Sequence, residues 1–142
     1  MSKARIWICG FLLLVVVAGL VFLPTMIRGM EDIDNLTAVE INDLDLYAVP
    51  DGVHPGAYND DEDAFLYRVR VEVTVADGRI TDIAILENED REPSLLAEGV
   101  APLIIEAQTP LVAAVSGATI SSKSIMKAVE NALVAAGATV IE

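Results

Sequence analysis

The apolar positions divide the chain at about residue 30. From Ile6 to Leu23 there are 18 successive residues without a charge, nearly all Leu, Val, Ile, Phe, Ala or Gly, and continuing through Pro24 and Thr25 to Ile27 extends the run to 22. At about 1.5 Å per residue a helix of that length matches the roughly 30 Å core of a bilayer, and a helix satisfies its own backbone there. The run therefore predicts one N-terminal transmembrane helix. A cleaved signal peptide is the competing reading. Its apolar stretch is usually about 7–15 residues and is followed by a small-x-small site, whereas Pro24-Thr25-Met26-Ile27-Arg28-Gly29-Met30 contains no Ala-x-Ala. Cys9, the only cysteine, lies near the start of the run and reads as a packing or lipid-facing residue; a single cysteine forms no internal disulfide.

After residue 30 the pattern changes. Residues 31–43 have irregularly spaced apolar positions and read as a stalk or a short helix, with Leu44 to Val49 offering a short strand. Pro50-Asp51-Gly52 and Pro55-Gly56 read as turns. Phe65, Tyr67, Val69, Val71, Val73 and Val75 then alternate with Leu66, Arg68, Arg70, Glu72 and Thr74, the period-two pattern of a half-buried strand. Asp77-Gly78 is a favoured pair for a two-residue hairpin turn, and Ile80, Ile83, Ile85 and Leu86 form the return strand. The phase change between Ile80 and Ile83 predicts a bulge. Ser94 suits the cap of a short helix broken by Gly99, and Pro102 suits the first turn of another that Thr109-Pro110 ends. Leu111 to Val115 reads as a buried strand. Ile125, Met126, Val129, Leu133 and Ala136 recur at helical spacing, predicting a helix from Ser121 or Ser122 to Ala136, closed by Gly137 and followed by an edge strand at Val140-Ile141. Strands followed by helices, without strict alternation, give an α+β domain with an antiparallel sheet, a central hairpin and packed helices.

Charge refines this architecture. Lys3 and Arg5 precede the apolar run and Arg28 follows it, so the positive-inside bias places the N-terminus in the cytoplasm and residues 31–142 outside. All 22 acids lie beyond residue 30 with only six of the nine Lys and Arg, which leaves that part at −16. Such a balance excludes nucleic acid as an expected partner and disfavours lying flat on anionic lipid. It suits either a basic partner or a plain solvated surface.

The catalytic inventory is thin. His54, the only histidine, lies in a predicted turn, and there is no zinc-type ligand cluster. The acid runs at Asp60-Asp61-Glu62-Asp63 and Glu87-Asn88-Glu89-Asp90 lack the EF-hand pattern and read as solvated loops. One segment stands apart. Ser116-Gly117-Ala118-Thr119-Ile120-Ser121-Ser122-Lys123-Ser124 places five hydroxyls, a glycine and a lysine before an amphipathic helix. A helix start offers unpaired N–H groups and the positive end of a dipole, which favour an anion such as phosphate. Ser and Thr are also ordinary helix caps, so the residues alone leave both readings open.

Ser116-Gly117-Ala118-Thr119 followed by Ile120-Ser121-Ser122 resembles the Ser-Gly-Ala-Thr signature of the FMN-binding domain family. That family includes the small flavin-carrying subunits of the sodium-translocating NADH:quinone reductase and of Rnf-type electron-transport complexes. Asp51-Gly52-Val53-His54-Pro55-Gly56-Ala57-Tyr58 resembles its opening segment, Val71 to Ile85 its central hairpin, and Ile104 to Gln108 the helix before the signature. The resemblance covers about residues 47–136; together with the apolar run and the charge bias it gives three expected parts: a cytoplasmic N-terminus and anchor at 1–30, a stalk at 31–46 and an FMN-binding domain at 47–142. It implies FMN as cofactor, with Ser116, Gly117, Ala118, Thr119, Ser121, Ser122 and Lys123 handling the phosphate. The hairpin face with Tyr67 and Val69 would cover the ring. In covalent members of the family the signature threonine, here Thr119, carries FMN through a phosphoester installed by a flavin transferase. Those members usually have an aspartate six residues earlier, where this chain has Ala113, so covalent and non-covalent binding both stay open. The expected role is a membrane-anchored, extracytoplasmic electron carrier between neighbouring membrane redox proteins, rather than a stand-alone enzyme. The alternative is a non-redox interaction module that keeps the fold without flavin.

Overall fold

The structure is a computed structural model that describes residues 10–24, 38–61, 67–88 and 92–141. The chain divides into two compact units, residues 1–35 and 36–142.

In the first unit, residues 10–24 form a helix, α1, with every residue exposed. Among the described residues no helix is long and apolar enough to cross a membrane. The 15 helical residues span about 22 Å, short of the roughly 30 Å bilayer core. Residues 6–9 and 25–27 of the expected span lie outside the described residues, as do residues 31–37 of the expected stalk.

The second unit is α+β, with antiparallel sheets and packed helices. Strands β2 (Gly52–Tyr58), β3 (Val69–Ala76) and β4 (Arg79–Glu87) form an antiparallel sheet in that order. A two-residue strand β1 (Leu44–Asp45) pairs with β5 (Thr139–Val140). Three helices lie between: α2 (Glu92–Ala97), α3 (Val100–Ala107) and α4 (Thr119–Ala136). The expected alternation holds in β3. Val69, Val71, Val73 and Val75 are each at most 1% exposed, whereas Arg70, Glu72 and Thr74 turn outward. Asp77 and Gly78 take φ of 53° and 70°, the two left-handed positions of a type I′ turn. The expected bulge is present. Thr74 faces Asp82 while Val75 faces Ile80, which leaves Thr81 over, and a second irregularity leaves Leu86 over. These extra residues return Ile80, Ile83 and Ile85 to the core side of β4.

α4 covers the valine face with Ile125, Val129 and Leu133, all fully buried. Gly56 allows the close approach: a Cβ there would collide with the Ala128 carbonyl and come within 2.5 Å of the Ala132 Cβ. Gly137, at φ 115°, ends α4 as expected, and the Ala138 N–H turns back to the Leu133 carbonyl at 2.9 Å. Gln108 ends α3 in the left-handed region. Its side-chain amide pairs with both backbone groups of Ile80, accepting from N–H and donating to C=O at 2.8 Å each, which docks α3 on the edge of β4.

Several expectations are corrected. Pro55-Gly56, read as a turn, lies inside strand β2, and Gly52, read as part of another, starts it; β2 pairs on one side only, so Pro55 loses no ladder bond on its free edge. Leu111 to Val115 is not a strand. Its N–H groups bond locally, Leu111 to the Thr109 hydroxyl, Val112 to the Pro110 carbonyl and Val115 to the Ser122 hydroxyl. Ser94 lies inside α2 rather than capping it, and α4 starts at Thr119, earlier than the serines suggested. Tyr67, at φ 59°, precedes β3 instead of belonging to it, and Phe65 and Leu66 lie outside the described residues. The expected strand at 44–49 shrinks to β1, while residues 39–43 run along α4 instead of standing free.

Candidate functional site

The loop before α4 is shaped by one turn. The Ala118 N–H donates to the Val115 carbonyl at 3.0 Å, and Gly117, the third residue of that turn, has φ 82°. A positive φ at this place defines a type II turn and suits glycine. A Cβ on Gly117 would meet nothing within 4 Å, so its outer side is open. Ala118 occupies the N-cap position, a residue with no capping oxygen, and no side chain caps α4. The first helical bond is Ser122 N–H to the Ala118 carbonyl at 2.8 Å. The N–H groups of Thr119, Ile120 and Ser121 come before it and form the donor set of the helix start.

The structure sorts the sequence-derived candidates into two layers. Ser116, Gly117 and Thr119 are exposed around this start, with Ala118 beneath them at 3%. Ser121 and Ser122 point inward, at 3% and 0% exposure. The Ser122 hydroxyl accepts the Val115 N–H at 3.1 Å, so it holds the loop onto the helix. Lys123, one turn past Thr119 on the same side of α4, is half-buried and donates to the Val39 carbonyl at 3.2 Å. Val69 is a core residue, 1% exposed, and offers no surface to a ring.

Sequence reasoning missed the partner of this region. Residues 39–42 lie along α4, and with Leu111, Val112, Ala114, Lys123 and Met126 they line an open cleft of about 400 Å³, a size usual for small-molecule sites. Glu130, 4% exposed, holds the strap. It accepts the backbone N–H of Asn42 at 3.1 Å and the Asn42 side-chain amide at 2.9 Å. Lys127 bridges the Glu130 carboxylate at 2.8 Å and the Glu40 carbonyl at 3.2 Å. Burial works against the charge of Glu130, but the hydrogen bonds from Lys127 and Asn42 outweigh it and hold its carboxyl below the ordinary range. The only sequence signal for this clamp is Lys127 and Glu130, three residues apart on the amphipathic helix.

The remaining candidates are quieter. His54 donates through Nε2 to the Pro50 carbonyl at 2.8 Å, an ordinary structural contact. Among the described residues no group of three or more His, Cys, Asp or Glu could hold a metal ion; residues 62–63 and 89–90 of the acid runs lie outside them.

The donor set and open loop fit a phosphate-bearing group: free N–H donors, two exposed hydroxyls and a backbone without a side chain at Gly117. No curated protein matches the chain. Residues 67–134, from the start of the hairpin through most of α4 and including the whole Ser-Gly-Ala-Thr loop, match the family model of the FMN-binding domain. The matched segment thus resembles the FMN-binding domain and supports FMN as the cofactor.

Proposed function

We propose that this protein is a membrane-anchored, extracytoplasmic electron carrier whose FMN is tied by its phosphate to the start of α4. The observation that carries the reading is the uncapped start of α4 beneath exposed Ser116 and Thr119, inside a segment of the FMN-binding family. The N–H groups of Thr119, Ile120 and Ser121 would bind phosphate oxygens, helped by the helix dipole. The Ser116 and Thr119 hydroxyls would donate from the loop, and buried Ser121 and Ser122 would keep that loop in place. Lys123 would add positive charge one turn away. When bound, the flavin supplies the redox chemistry, and the protein supplies binding, orientation and electrostatics. Covalent attachment through the Thr119 oxygen, installed by a flavin transferase, is the tighter form of the same arrangement.

Anchoring is supported by the uncharged run from residue 6 to 27 and by α1, apolar and exposed on every side. A helix hydrophobic all round belongs in a protein core or a membrane. Lys3 and Arg5 before the run support an extracytoplasmic domain, where neighbouring membrane redox proteins would exchange electrons with it.

The deciding experiment is purification of the full chain from its native host, with an absorption spectrum and an intact mass. A yellow protein carrying FMN, or a mass increased by FMN less water, is expected. A colourless protein at its bare mass would instead leave the non-redox interaction module. Alkaline phosphatase fused after Glu142 should be active; an inactive fusion means the opposite topology.

A further inference from the structure

α2 and α3 share one exposed apolar stripe. The chain stays helical between them: Gly99 is right-handed, at φ −58° and ψ −11°. The N–H groups of Glu98, Gly99 and Ala101 donate to the carbonyls of Leu95, Leu96 and Glu98 at 3.3, 3.2 and 3.1 Å. Ser94, Ala97, Val100, Ala101 and Ile104, three or four residues apart, form the buried side, each at most 8% exposed. The opposite side repeats that spacing outward. Leu95 and Leu96 are 53% and 52% exposed and Leu103 is 40% exposed, with Pro102 exposed beside it. Glu92 and Glu106, both exposed, stand at the two ends, about 20 Å apart along the helical path. Apolar anchors two turns apart on one helical side are the pattern by which a helix enters a partner's groove.

Charge selects the partner. No Lys, Arg or His occurs from residue 92 to 122, whereas Glu92, Glu98 and Glu106 do, and residues 31–142 together carry −16. A second copy of the chain is disfavoured, because a twofold pairing of antiparallel stripes sets Glu92 against Glu106. Anionic lipid is repelled in the same way. A basic protein face is attracted, and its cations meet the glutamates at the ends of the stripe. The place is suitable too. A Cβ on Gly99, midway along the stripe, would stand 3.7 Å from the Val115 Cγ2, and Val115 opens the turn that carries Ser116 and Gly117.

We propose that the stripe of Leu95, Leu96, Pro102 and Leu103 is the docking face for the electron-exchange partner, a protein whose apolar groove is edged by Lys or Arg. This rests on the electron-carrier reading above and adds the face at which the partner sits, next to the loop assigned to the phosphate.

The test uses the full-length, flavin-loaded protein in uncharged detergent. Ferricytochrome c serves as the probe, because its exposed haem edge lies in an apolar patch ringed by lysines. Docking is read by titration calorimetry, and electron transfer by the rate at which the reduced flavin, becoming oxidised, gives one electron to each ferric haem. Glu106→Lys should weaken binding and slow transfer several-fold at low salt, with the gap closing at high salt. Leu96→Gln and Leu103→Gln should lower both several-fold at either salt concentration. Asp51→Lys changes the net charge as much as Glu106→Lys but is exposed beside β2, at the other edge of the sheet from α3; it should match the parent. A parent without flavin fails the carrier reading, and the titration then decides the docking face by itself. A parent that shows no binding to the probe, or leucine variants that bind as the parent does, overturn the docking face, while haem reduction leaves the carrier reading standing. Equal losses in Asp51→Lys and Glu106→Lys assign the attraction to overall charge and overturn it as well.

Discussion

Thr119 occupies the first helical position of α4 with its side chain exposed, and in the proposed function its hydroxyl serves the phosphate and not the fold. Thr119→Ala should therefore leave stability intact. If FMN is esterified, the variant loses all denaturation-resistant flavin in an intact-mass measurement. If it is held non-covalently, one lost hydrogen bond to a charged phosphate costs about 1.5–3 kcal/mol, and affinity in a fluorescence titration falls about ten- to a hundredfold. Thr119→Ser keeps the hydroxyl and should keep most non-covalent binding. Retained flavin at parental affinity in Thr119→Ala would remove this loop from the phosphate site. Glu130 gives the opposite kind of prediction. Its carboxyl is held below its ordinary value of 4.5, so its charge stabilises the fold above that pH, and the contribution disappears as pH falls through the depressed folded value. Glu130→Gln should cost about 1.5–3 kcal/mol at neutral pH, and the gap to the parent in denaturant midpoints should close on acidification. An undiminished gap at low pH would mean that packing, not charge, holds the strap. At this scale the sequence revealed the hydroxyl-rich loop because its composition is local. It concealed Glu130 and Asn42, since their pairing joins positions 88 residues apart.

The elements were legible where local chemistry decides the outcome. Alternating valines, Asp77-Gly78 and Gly137 each impose their geometry within a few residues, and the hairpin, its turn and the end of α4 follow from them. Strand β2 was illegible for the same reason. Pro50, Gly52, Pro55 and Gly56 carry turn signals, yet pairing with β3 and cover from α4 impose a strand. Gly56 is there for clearance. Gly56→Ala would force a methyl against the α4 backbone at Ala128 and Ala132; overpacking of this kind costs about 1–3 kcal/mol. Chemical denaturation should show that loss, with the sheet pushed off α4; an unchanged midpoint would mean that helix and strand part freely. The 111–115 segment erred the other way, being apolar enough for a strand but without a neighbouring strand to pair with.

For the whole molecule, the boundary near residue 30 was plain because an uncharged run gives way to an acidic one. Removal of residues 1–30 should give a monodisperse, folded domain with a cooperative thermal transition, since the unit over 36–142 has its own core; aggregation would show that the two parts do not separate. What the sequence hid at this scale was how that unit closes on itself. β1 and β5 pair antiparallel, and the Ile141 N–H donates to the Asp43 carbonyl at 3.0 Å, so the point where the chain enters the domain touches the point where it leaves. In topological terms the domain is a ring cut once, beside the strap. Residues 43 and 141 are therefore joinable by a short linker, and new ends can be opened elsewhere. A circular permutant opened at Asn59-Asp60, between β2 and β3, should fold, whereas one opened at Asp77-Gly78 severs the hairpin and should not. Joining residue 141 to residue 43 leaves residues 39–42 outside the ring, so such a permutant also shows whether the domain folds without the segment that Lys123, Lys127 and Glu130 hold against α4.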